Sequence, residues 1–233
     1  YRFIILSTSY LIPQYLTTVQ NFRSLEVGKV LAWIAVPQFL LVPLIATLLR
    51  WIDPRLILAL GLWCVGLACF MASDLTRDWA TDDFLASQVL QAFGQSAALI
   101  SLVLFAVRHL RPADAVTFGV VLQTARLLGG EAGNAFMQTY VRVREQVDSN
   151  LLGLHVMSGD VDTADRLAAY ANAIAARSDG VAGASARAAS LLVQAIRNQA
   201  NVLSYRDGFI VVAFAVIVML LLTALLRPAP TPA

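Results

Sequence analysis

Five stretches of this chain stay apolar for long enough to cross a bilayer, and an opening one, Tyr1 to about Val19, lies near the roughly 17-residue lower limit for a spanning helix. No other feature narrows the fold as far. Residues are 58% hydrophobic and only 14% charged, against about 25% charged in a soluble domain. In hydrocarbon every backbone polar group must be satisfied within its own segment, so apolar runs of this length predict helices. The expected fold class is all-α: a polytopic membrane protein with six transmembrane helices. Residues 1–140 hold the first five, 141–204 an extramembrane loop, 205–227 the last helix and 228–233 a short tail.

The fifth span, Val116 to Tyr140, carries unusual polarity. Gln123, Arg126, Gly130 and Asn134 fall at i, i+3, i+7 and i+11, one continuous face, while Ala125, Gly129 and Gly133 form a small-residue line. An Arg near the middle of a membrane helix costs roughly 2.5–3.5 kcal/mol, so it is expected to face protein or water. This helix reads as the polar lining of a pathway, with Gly129, Gly130 and Gly133 for close helix packing. Glu131 is either a second titratable group or the partner of a further helix. In the fourth span Gln88, Gln91 and Gln95 form a stripe at i, i+3 and i+7. That stripe is either cavity lining or interhelical glue worth about 0.6 kcal/mol per contact.

Loop charges give an orientation, because Lys and Arg of short loops stay on the cytoplasmic side. Arg2, Arg50, Arg55, Arg108, Arg111 and Arg227 fall on one side, against Arg23, Lys29 and Arg77 on the other. Both ends are therefore expected in the cytoplasm, and Val141 to Ser204 outside. Within that outer segment Leu167, Tyr170, Ala171 and Ile174 recur at helical spacing. A second run, about Ala184 to Leu203, repeats the pattern, so two amphipathic helices are expected. They cover the bundle mouth, bind a partner or simply connect.

Other chemistries find little footing. Cys64 and Cys69 share one apolar helix at a spacing unlike a redox or zinc pair, and read as packing. His109 and His155 have no carboxylate or thiol at ligand spacing, so no metal and no cofactor is expected. The net charge of +2 is small and the basic residues are scattered, which argues against nucleic acid. No nucleophile, base and orienting residue converge, so no enzyme is expected. The chain opens without Met and already inside an apolar segment, and Tyr1 reads as a cut.

The order of features resembles the C-terminal six-helix bundle of the drug:proton antiporter-2 (EmrB/QacA-like) family, fourteen-helix multidrug exporters of the major facilitator superfamily. The resemblance rests on Leu11-Ile12-Pro13-Gln14-Tyr15-Leu16, Pro37 to Pro43, Asp53-Pro54-Arg55, Gln91-Ala92-Phe93-Gly94-Gln95, Arg126 to Gly133, and Gln194 to Phe209. The chain departs from the family at Ala46 and Arg50-Trp51 in the loop whose motif here is Arg50, Asp53 and Arg55. It departs again at Glu131, where members usually carry a small residue. The resemblance implies one half of a major facilitator fold in the inner membrane. It further implies proton-coupled efflux of amphiphilic small molecules by alternating access with an N-terminal half, Gln88, Gln91, Gln95, Gln123, Arg126 and Asn134 lining the cavity. An enlarged outer loop implies a periplasmic membrane-fusion adaptor as partner. A permease for one metabolite and a non-transporting membrane scaffold remain open alternatives.

Overall fold

The structure is a computed structural model describing residues 1–76, 79, 81–108, 110, 112–157 and 184–225. These residues form six α-helices: α1 Arg2–Thr18, α2 Ser24–Leu48, α3 Pro54–Ala72, α4 Leu85–Arg108, α5 Ala115–Met157 and α6 Ala184–Ala224. Single 3-10 turns precede α4 and α5, and no strand occurs among the described residues. Four segments are long and apolar enough to cross a membrane: α2, α3, Thr81–Arg108 containing α4, and the Ser190–Ala224 part of α6. The chain is thus a membrane-type helical protein.

Local chemistry sets the helix ends. Asn21 takes a left-handed backbone with φ 54° and turns the chain between α1 and α2, a conformation Asn tolerates better than most residues. Glu26 accepts from the Arg23 backbone N–H at 2.8 Å at the start of α2, closing one end of a capping pair. Asp53 accepts from the Arg55 N–H at 2.9 Å, with Pro54 at the first helical position of α3. Pro13, Pro37 and Pro43 all lie inside continuous helices, as membrane helices allow.

The helix bounds differ from expectation on either side of the long connection after the fifth span. α5 does not stop at Tyr140 but runs on to Met157. The amphipathic run from Ala184 is not a separate helix but the first half of α6, continuous with the last span. Helical hydrogen bonding propagates through both boundaries because neither carries a Pro, and Gly208 packs within the helix rather than breaking it. The run Thr163 to Arg177 and His109 lie outside the described residues, and nothing is described of the His155 side chain.

The helices pack in a definite order. α3 lies against α4 and α6, α4 against α2, and α5 against α1 and α6, with α1 also touching α6. Leu11, Tyr15 and Leu16 of α1 are fully buried at the centre, with Leu62 and Val65 of α3 and Phe209 of α6 in the same cluster. The Tyr15 ring meets Phe84 and Tyr205 with centroids 6.0 and 5.8 Å away, and its hydroxyl donates to the Thr76 carbonyl at 2.6 Å. At the opposite end Arg55 donates from Nη2 to the Ala224 carbonyl at 2.5 Å, placing a cation on the C-terminus of α6, where the helix dipole favours it.

Two seams bring main chains together. A Cβ on Gly94 would lie 2.7 Å from the Gly61 carbonyl oxygen, and one on Gly61 would lie 2.7 Å from the Ala98 nitrogen. A Cβ on Gly133 would lie 2.5 Å from the Phe3 carbonyl oxygen. Since the obstacles are backbone atoms, no rotamer change relieves them. Gly94→Val and Gly133→Val are expected to lower stability by about 1–3 kcal/mol or more, whereas Gly119→Ala, with nothing within 4 Å, should be silent. Thermal midpoints of the purified variants in one detergent check this order.

Candidate functional site: the polar face of α5

The three glutamines of α4 turn inward rather than toward open space. Gln91 is 3% exposed and donates from Nε2 to Thr8 Oγ1 on α1 at 2.7 Å. The Thr8 hydroxyl in turn donates to the Ile5 carbonyl at 2.9 Å. Gln95 is half-buried; its side-chain oxygen accepts from Gln38 Nε2 of α2 at 3.2 Å, and its carbonyl accepts from the Tyr1 hydroxyl at 2.8 Å. Gln88 is 1% exposed, and neither amide atom has a partner among the described residues. The stripe therefore ties α4 to both α1 and α2, with one amide left over.

On α5 the small residues and the polar residues separate. Gly130 and Gly133 are buried against Leu6 and Phe3 of α1, and Gly129 stands beside Arg2. Ser7 of α1 adds a hydrogen bond to the Gly133 carbonyl at 3.2 Å. Away from this seam Gln123, Thr124, Glu131, Gln138 and Arg142 are all exposed and recur on one side of the helix. Asn134 is half-buried, its oxygen accepting from Gln138 Nε2 at 3.3 Å. Among the described residues Glu131 has no hydrogen bond or ion pair, and none joins it to Arg126, as their five-residue offset along the helix would make difficult. Arg126 is half-buried beside Tyr1, Arg2 and Leu122 with its Nε enclosed and unpartnered.

Elsewhere the exposed faces are apolar. α3 presents Leu56, Leu60, Trp63, Leu67 and Phe70, and α6 presents Phe214, Ile217, Val218, Leu221 and Leu222. Such faces suit lipid tails. The exposed side of α5 is mixed: beside Val120, Leu127 and Leu128 it carries Gln123, Glu131 and Gln138, a carboxylate and two amides that hydrocarbon would leave unsatisfied.

Of the loop motif, Asp53 caps α3, Arg55 clips α6 and Arg50 is exposed. Sequence reasoning missed three features: the Gly61–Gly94 crossing, the Ser7–Thr8 pair on α1, and a cluster of Arg144, Asp148 and Asp207 where α5 and α6 extend together. Lone small residues in apolar helices signalled the first two only weakly, and the third spans more than 60 residues of chain. Comparison with protein-family models, with curated proteins and with solved structures finds no match for this chain.

The glutamines make opposite predictions. Gln91→Met removes a made hydrogen bond and should lower the thermal midpoint, while Gln88→Met removes an orphaned amide and should leave it unchanged or raise it by an amount on the order of 1 kcal/mol. A midpoint for Gln88→Met clearly below wild type would mean that this amide has a partner beyond the described residues.

Proposed function

We propose that this chain is the C-terminal six-helix half of a proton-coupled exporter of amphiphilic small molecules, built on the major facilitator plan. One observation carries the reading: the outward side of α5 places Gln123, Thr124, Glu131, Gln138 and Arg142 among its exposed apolar residues Val120, Leu127 and Leu128, whereas the outward faces of α3 and α6 are apolar. A face of that kind belongs against water or a second set of helices. All six helices, including the short α1 and the polar α5, then cross the membrane. Both ends lie in the cytoplasm, as the arginine distribution favours.

The packing order supports the same plan. Exchanging α1, α2 and α3 for α4, α5 and α6 turns the α1–α5 contact into α4–α2, turns α3–α4 into α6–α1, and returns α3–α6 to itself. Three-helix units related in this way, of opposite membrane orientation because each has an odd number of spans, are the internal repeats of such transporters. The α5–α6 contact has no counterpart, and its ion pair, Arg144–Asp207, lies in the outer extension.

In this reading Glu131, exposed and unpaired, carries the proton, and Gln123 and Asn134 meet substrate polar groups. Arg126 faces the pathway from the cytoplasmic half, while Gln91 and Gln95 hold α1, α2 and α4 in register around it. Past Tyr140, α5 continues for 17 residues, about 25 Å of helix, paired with the start of α6. This projecting hairpin is the surface offered to a periplasmic adaptor.

Proton movement tests the assignment. In inverted membrane vesicles carrying the full-length natural protein, an amphiphilic substrate should dissipate an imposed pH gradient. Glu131→Gln should reduce that response to background leak, and Arg126→Leu should abolish efflux without preventing insertion. Full coupled flux in Glu131→Gln would refute the role given to that carboxylate.

A further inference from the structure

Among the described residues one ion pair joins α5 to α6. Arg144, a side chain 40% exposed, donates to Asp207 through Nε at 2.8 Å and through Nη2. One helical turn further along α5, Asp148 is 9% exposed, and its Oδ2 is enclosed with no hydrogen-bond partner among the described residues. Two carboxylates therefore share one guanidinium between two helices, and the guanidinium is already committed to Asp207. An ionised Asp148 leaves a net negative charge in a place that water barely reaches, and an orphaned acceptor besides. A protonated Asp148 leaves neither.

We propose that Asp148 is a proton-binding site that latches the outer hairpin: protonated, it lets α5 and α6 close; ionised, it loosens them. The groups facing it are Arg144 and Tyr140 on α5 and Asp207 on α6, with Glu145 and Arg197 in the neighbouring polar cleft and Tyr10 of α1 near Tyr205 at this end. Burial raises the Asp148 carboxyl above its ordinary range, Arg144 opposes the shift, and Asp207 adds to it. The sign follows from linkage. The closed hairpin binds a proton more tightly than the open one, so closure is favoured at low pH and is lost as pH rises from the ordinary carboxylate range through the raised value. Acid strengthens this contact, the reverse of an ordinary salt bridge, whose carboxylate must stay charged.

The site stands on the outer hairpin alone and does not depend on the transport assignment. Amide hydrogen exchange of the outer part of α5, residues 141–157, in the full-length protein reads it directly. After correction for intrinsic exchange rates, protection at about pH 5 should clearly exceed protection at about pH 7.5. Asp148→Asn, which mimics the protonated form, should give high protection at both values. An infrared band of a protonated carboxylic acid should be present in wild type at the lower pH and absent from that variant. Protection in wild type that is flat or rises with pH overturns the proposal, and so does an undiminished pH response in Asp148→Asn. The wild-type measurement decides even if the variant does not fold.

Discussion

Main-chain contact at glycine is what the rest of this bundle depends on. Lipid tails are as apolar as leucine, so helices in a bilayer gain little by hiding apolar surface from one another, and close packing with a few hydrogen bonds must hold them. Gly61 against Gly94 and Gly133 against Phe3 supply the packing, while Gln91 to Thr8 and Ser7 to Gly133 supply the bonds. The first seam fixes α4 on α3, and the second fixes α1 on α5. Once those rotations are set, the outward side of every helix is set too.

The position of the polar residues on α5 follows from this. With Gly130, Gly133 and Met137 pressed into the bundle, Glu131 and Gln138 have nowhere to go but outward. In a bilayer that outcome is tolerable only where something other than lipid covers them. The same logic explains Gln88 differently: the α4 rotation that pairs Gln91 with Thr8 carries Gln88 into the interior without a partner. An unsatisfied amide kept in that position marks either an ordered water or a conformation in which it finds a bond.

Much of this was legible in the sequence, and the limits have physical causes. Hydropathy located the helices because the apolar runs from Lys29 to Leu49 and from Pro54 to Ala72 end at capping or charged residues. It ended α5 and began α6 too near the apolar runs because amphipathic and apolar helix share one hydrogen-bond ladder, and no breaker stands at Tyr140 or near Ser204. Periodicity grouped Gln123, Arg126, Gly130 and Asn134 on one face, yet the structure divides that face, burying Gly130 and exposing Gln123. A period of 3.6 residues defines sides but not which one meets a neighbour. Pairings across long separations, such as Arg144 with Asp207, leave no local trace at all.

The coverage of the α5 polar face is best measured by scanning nitroxide labels along positions 120–142 of the full-length protein in liposomes, comparing collisions with oxygen, which concentrates in lipid, and with a water-soluble nickel chelate. Labels replacing Glu131 and Gln138 should show low oxygen accessibility relative to labels replacing Ile217 and Leu221 of α6, with chelate accessibility following the helical period. Oxygen accessibility at 131 and 138 as high as at 217 and 221 would place the face in lipid and contradict a transport pathway there.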